Sequence, residues 1–327
     1  MRGRCLTASF SAIAIMALAP ATIAGQPPSP GGDVWSPSPT PWGDPDLQGA
    51  WTNTTTTPLE RPEDLAGKDV LTAEELAARN TEVAAQVSLD NRPREQTGAY
   101  NEFWVERGIL SARTSLIVDP FDGRLPSLTP SEKRRRAEHA AAREARPADG
   151  PEDRSAYDRC ISRGLPGSMM PGFYNHNYQI LQTPGYVVVL VEMIHDARII
   201  PLDGRPHPEP EIRQWLGDSR GRWEGDTLVV ETTNLTGKAA DRSRTTFGAG
   251  EHTLVVERFT RTAEDAIDYQ ITVTDPTEYG TPWTAAIPMT ALGGQLYEYA
   301  CHEGNYAMGN ILAGARSEEK AAGTPTH

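Results

Sequence analysis

Residues 222–233 read RWEGDTLVVETT, two strand-forming runs joined by a tight turn. Glu224, Gly225 and Asp226 supply the turn chemistry, and Thr227 to Thr233 is a run of β-branched and apolar residues, so the stretch predicts a β-hairpin. The pattern repeats on both sides. Strands are predicted at 178–183, 186–194, 197–202, 214–216, 252–262, 267–274, 283–289 and 296–300, with further tight hairpins at 203–205 and 263–266. Closely spaced strands without intervening helices imply a mainly β protein, an antiparallel meander closed into a barrel or folded into a sandwich. This body is expected over residues 171–313.

Ahead of the body lies a mixed segment, 47–170. Leu47 to Thr54, with Trp51, reads as a short strand or anchor, and 100–104 and 113–118 as further extended pieces. Thr72 followed by Glu74 and Glu75 opens one helix, to about Val87. Thr129, Pro130 and Glu132 have the form of a capping box at the start of a second, to about Arg146. These are the two peripheral helices expected. Residues 26–46 hold seven prolines and three glycines, which suits an extended arm and no core. Residues 314–327 read as a flexible tail.

The first 25 residues combine Arg2 and Arg4, an apolar stretch from Leu6 to Ala19 and small residues up to Gly25, the anatomy of a secretory signal cleaved after Ala24 or Gly25. That stretch is too short to span a bilayer comfortably, and no later one approaches about 20 apolar residues, so no membrane insertion is expected. The chain has 31 basic and 44 acidic residues; without Arg2 and Arg4 the formal charge is −15. A field of that sign repels nucleic acid. The run Arg134, Arg135, Arg136 accordingly reads as a solvated helix face. Cys5 leaves with the signal. In the periplasm, or outside the cell, Cys160 and Cys301 are expected to form a disulfide. The competing reading makes Cys301, beside His302 and Glu303, a nucleophile, which requires a free thiol of lowered pKa.

Candidate chemistry concentrates in the β body. On the strand expected at 186–194, Glu192 shares a face with Tyr186, Val188, Leu190 and Ile194. A carboxylate there is a general acid or base, or else a structural partner of Arg198 or Arg258. His195 and Asp196 follow, but neighbours on a strand point to opposite faces, which also argues against a metal held by Glu192 and His195. No metal or cofactor is predicted. A Cys160–Cys301 bridge would draw the runs 173–179 and 297–306 together, and with them His176, His302 and Glu303. Arg198 and Arg220 are candidates to orient a substrate, and Tyr174, Tyr178, Trp215 and Trp223 to line its site. Ordinary hydrogen-bonded scaffolding is the plainer alternative for the same polar clusters.

The strings PDLQGAWTN (45–53), GDSRGRWEGDTLV (217–229) and YACHEGNY (299–306) resemble an uncharacterised group of secreted bacterial proteins, over nearly the whole mature chain. More loosely, residues 222–274 are similar to lipocalin-like barrels. That similarity implies either a ligand carrier or a lyase, isomerase or hydrolase that works by acid/base chemistry without a cofactor. The leading expectation is a periplasmic enzyme of that kind acting on a small, partly apolar molecule, with Glu192, His176, His195 and His302 as proton-transfer candidates. The alternatives are a non-catalytic carrier of a small ligand and an envelope protein that meets partners through its arm.

Overall fold

The computed structural model describes residues 35–87, 105–145, 148–239 and 249–323. The expected signal peptide, the first part of the arm, the extended piece at 100–104 and the last four residues lie outside them. Within the described residues, the elements run β1 (Gly49–Thr52), α1 (Ala73–Val87), β2 (Ile117–Asp119), α2 (Pro130–Ala145), β3 (Asn177–Thr183), β4 (Tyr186–Val191) and β5 (Ala197–Pro201). They continue with β6 (Asp218–Glu224), β7 (Thr227–Thr233), β8 (Leu254–Ala263), β9 (Ala266–Thr274), β10 (Trp283–Ala286), β11 (Met289–Ala291) and α3 (Ala307–Ala322).

Nine antiparallel strands form one hydrogen-bonded path, β5-β4-β3-β1-β11-β9-β8-β7-β6, while β10 pairs with β9 and β2. Local sequence explains the strongest pairings. In β8 and β9 buried and half-exposed residues alternate, so Val255, Glu257, Phe259, Ile267, Tyr269, Ile271 and Val273 point inward. The hairpins at 224–227 and 263–266 join strands in register, as their turns predict. The path nearly closes into a barrel. Its ends, β5 and β6, meet through side chains: a Cβ on Gly221 would lie 2.6 Å from Leu202 Cδ2 and 2.9 Å from Ile200 Cγ2, so a larger residue here would have to push these methyl groups aside.

The core is solid. Trp51, Tyr178, Phe259, Tyr269 and Trp283 join one buried cluster with the aliphatic residues of β3, β4 and β9. Leu47 anchors the end of the arm, its amide donating to Gln182 Oε1 at 2.6 Å, and Arg261 lies over the rings of Trp35 and Trp51. The helices start as their sequences predict. At α1, Thr72 N donates to Glu75 Oε2 and Glu75 N to Thr72 Oγ1, completing the box. At α2 half of the box forms: Glu132 N donates to Thr129 Oγ1, but the Glu132 carboxylate takes Arg135 and Arg136 instead. Arg136 also reaches Glu278, so part of the arginine run serves ion pairs. Among the described residues no helix is long and apolar enough to cross a membrane.

Five expectations need correction. The strand expected through residue 194 stops at Val191, because Glu192 opens a single helical turn in which Ile194 and His195 take positive φ, 63° and 48°. The turn at 203–205 closes no hairpin, since among the described residues β5 pairs with β4 alone. Residues 214–216 make one isolated bridge, Gln214 to Leu235, and 296–300 form no strand. A third helix, α3, occupies 307–322, where a tail is expected from 314. Tyr306 gives it no side-chain cap, and its own Arg316 ties it to the preceding chain, Nη1 and Nη2 donating to the carbonyls of Asp149 and Ala148 at 3.0 Å.

Candidate functional site

The strand registers bring the last residues of β1, β4, β7 and β9 and the first of β3, β5, β6, β8 and β10 to one end of the barrel. Most of the polar residues singled out in the sequence gather at this end, in two neighbouring groups. Four of the five non-glycine residues with positive φ in the described chain, Cys160, Asn175, Ile194 and His195, belong to the segments that lead into β3 and β5. Backbone held in that region costs about 1 to 3 kcal/mol per residue and concentrates at functional sites.

The first group surrounds the disulfide. Cys160 and Cys301 are bonded, with their Cα atoms 5.8 Å apart across 141 positions of sequence. The bridge removes the free thiol that a Cys301 nucleophile needs. Around it Tyr157 shares hydrogen bonds with the hydroxyls of Tyr174 (2.8 Å) and Tyr299 (3.5 Å), and Arg163 lies over the Tyr157 ring at 5.6 Å. Burial and these bonds push the Tyr157 hydroxyl far above its ordinary range. Arg163 Nη1 also lies 2.7 Å from His176 Nε2. His176 is buried against Gly172, where a Cβ would fall 1.9 Å from the ring. Burial first, and the Arg163 charge second, push its pKa down to about 3.

The neutral His176 ring has a consequence for stability. Its pKa lies below that of an unfolded histidine, so between pH 6.5 and about 3 the unfolded chain binds the extra proton. Stability from this site is complete above pH 6.5 and is lost as pH falls, at up to about 1.4 kcal/mol per pH unit. His176→Gln is expected to flatten the fall in urea midpoint between pH 7 and pH 5. Equal slopes for the variant and the parent would exclude this coupling.

Glu192 sits beside this group, buried, with Oε2 accepting from Asn177 Nδ2 at 2.7 Å and Oε1 from the Tyr297 amide at 2.8 Å. It therefore ties the C-terminal run to the barrel and pairs with neither arginine named for it. Arg198 binds Glu257, and Arg258 binds Glu224. Tyr178 is fully buried and donates to the Ser168 carbonyl, and Tyr174 is half-buried in the tyrosine cluster. His195 and His302 are exposed. The four proton-transfer candidates thus share one end of the barrel, two of them buried in internal bonds and two at the surface.

The second group lines the seam where the barrel path ends. Residues 197–199 and 213–219 enclose a cleft of about 500 Å³ between the outer edges of β5 and β6. Its apolar wall includes Ile199, Trp215 and Leu216; its polar wall includes Arg213, Asp218 and Ser219. At the floor, Arg198 is 3% exposed. Its Nη1 donates to Glu257 Oε1 at 2.9 Å, Nη2 reaches Glu257 Oε2, Ser219 Oγ and Thr232 Oγ1, and Tyr269 donates to Glu257 Oε1 at 2.9 Å. Burial opposes the charge on Arg198, and Glu257 more than offsets it. Among the described residues the Arg198 Nε has no hydrogen-bond partner.

Asp218, at the rim, meets His207 of the preceding loop and Arg220 of its own strand. Its Oδ1 lies 2.7 Å from His207 Nδ1, and Arg220 Nη2 lies 3.0 Å from its Oδ2; His207 Nε2 is 3.6 Å from Glu231. Asp196, the residue before this wall, accepts from Ser162 Oγ at 3.0 Å, and burial raises its carboxyl pKa above the ordinary value. Of the predicted binding residues, Arg198 and Trp215 line the cleft, Arg220 braces Asp218, and Trp223 stands half-buried farther along β6, its Nε1 without a partner among the described residues. Glu257 is absent from the predicted set, although strand alternation with the apolar Val255 and Phe259 marks it as inward-facing. The His207–Asp218 contact joins a loop to a strand, and no local pattern signals it. Among the described residues no group of three or more metal-type ligands converges. Comparison of the chain with protein-family models, with curated proteins and with solved structures finds no match.

Proposed function

We propose that this chain is a small-molecule-binding protein of an oxidising extracytoplasmic compartment, the bacterial periplasm, and that its ligand occupies the seam cleft. The observation that carries this is the cleft itself. At about 500 Å³ it falls within the range of small-ligand sites, and it joins an apolar wall to a few fixed polar groups, the combination such sites use. The packed core supports a ligand at the seam rather than in the lumen, and the Cys160–Cys301 bridge supports the compartment.

A second reading, acid/base catalysis without a cofactor, is favoured by the 2.7 Å contact of His207 with Asp218 at the cleft rim. A carboxylate on Nδ1 fixes the tautomer, and Nε2, 3.6 Å from the Glu231 carboxylate, is then the nitrogen that accepts a proton. Glu192 and His176, both engaged in internal bonds, then act as support, and His207 with Asp218 takes the proton-transfer role.

A thermal-shift screen of partly apolar acids, alcohols and ketones tests both. Ile199 is 64% exposed on the cleft wall, so Ile199→Arg fills the cleft without disturbing the core. Hits that stabilise the parent are expected to lose their effect in Ile199→Arg and Trp215→Ala; hits retained in both variants would place binding elsewhere. Under the catalytic reading His207→Gln keeps binding and loses turnover of a converted hit by about 10²- to 10⁴-fold.

A further inference from the structure

Beyond the seam, a separate cleft of about 340 Å³ opens beside the disulfide. Its wall joins residues from opposite ends of the bridge: Arg159 precedes Cys160, and His302 follows Cys301. Segments 141 positions apart are pinned with Cα atoms at 5.8 Å, so the bridge is what sets these two side chains on one wall. Asn305 braces that wall, with Nδ2 donating to the Cys301 carbonyl at 2.8 Å and Oδ1 accepting from the Ala307 amide at 2.9 Å. Ile161 and Met308 add an apolar side.

The charges in this cleft are unequally matched. Asp158 is engaged by Arg154 at 3.3 Å, so its charge is already answered. Arg159 is half-buried in the wall, and among the described residues it has neither an ion pair nor a side-chain hydrogen bond. A guanidinium is always charged and presents five donors in a planar fork that matches carboxylate and phosphate oxygens. Leaving that fork partly desolvated and unmatched has a cost, which an oxyanion would remove through charge-assisted bonds. The His302 ring, with a donor in either protonation state, stands on the same wall.

We propose that this cleft is a binding site for a small organic oxyanion, a carboxylate or a phosphate monoester. Arg159 grips the anionic group, His302 adds a second donor, and the Ile161 and Met308 side receives the apolar part. The site does not depend on the seam cleft.

Calorimetric titration of the disulfide-bonded mature protein with inorganic phosphate and, separately, with benzoate tests it. Saturable binding of at least one is expected, and which of them binds distinguishes a phosphoryl from a carboxylate ligand. Arg159→Gln is expected to weaken that binding by about tenfold or more, the loss of one charge-assisted pair. Arg134→Gln, the same charge change on the exposed face of α2, and Ile199→Arg, which blocks the seam, are both expected to bind like the parent. No saturable binding of either anion, equal binding by Arg159→Gln, or an equal loss in Arg134→Gln or Ile199→Arg would each overturn the proposal.

Discussion

Glu257→Leu is expected to lower the free energy of unfolding by about 3 to 5 kcal/mol, the usual consequence of leaving the other half of a buried ion pair uncompensated. Both partners are inaccessible, with side chains 1% exposed for Arg198 and 0% for Glu257, so water cannot replace the lost carboxylate. The Tyr269 hydroxyl, which donates to Glu257 Oε1, loses its acceptor at the same time. Urea titration followed by circular dichroism reads the loss as a shift of midpoint at constant slope. A change below about 1 kcal/mol would mean that Arg198 finds another partner or solvent through the adjacent cleft.

The double variant Arg198→Met, Glu257→Leu separates the worth of the pair from the penalty of breaking it. Replacing a buried pair with apolar residues of similar volume is often neutral or stabilising, so the double variant should regain most of the stability lost by the single one. Full recovery is not expected, because Ser219 and Thr232 both meet Arg198 Nη2 and keep only each other, at 2.8 Å. A pair that contributes little net stability yet fixes the floor of a cleft fits a role in shaping the site.

The fold was legible where information is local. The predicted 227–233 and 267–274 match β7 and β9 within a residue, because β-branched alternation and a two-residue turn are sufficient for a hairpin. Legibility failed where the backbone turns without a glycine or where support is tertiary. Nothing in Glu192-Met193-Ile194-His195 announces positive φ at a β-branched isoleucine, so alternation alone places Glu192 on the face of a strand that in fact ends one residue earlier. Two glycines and a Tyr306 that gives no side-chain cap obscure α3, whose Arg316 reaches two distant carbonyls. Of the candidate site, its member residues were partly visible, Arg198 and Trp215 among them. The cleft was not, because it exists only where strands 16 residues apart in sequence, β5 and β6, are brought side by side by closure of the whole path.

Removing the disulfide tests how much of that polar end is built by one covalent link. In Cys160→Ser, Cys301→Ser the unfolded chain regains the freedom of a loop spanning 141 positions, and chain entropy sets the expected loss at about 3 to 5 kcal/mol. A global loss alone would say little about the site, so a local reading is needed. The Tyr297 amide donates to the buried Glu192 carboxylate, four residues before Cys301, and its hydrogen exchange reports whether the C-terminal run stays docked. If the bridge holds this run in place, exchange at Tyr297 accelerates by more than the global destabilisation predicts, whereas amides of β8 and β9 follow the global change. Should Tyr297 and the β8–β9 amides shift together, the run is docked by its own contacts, and the bridge acts only on the unfolded ensemble.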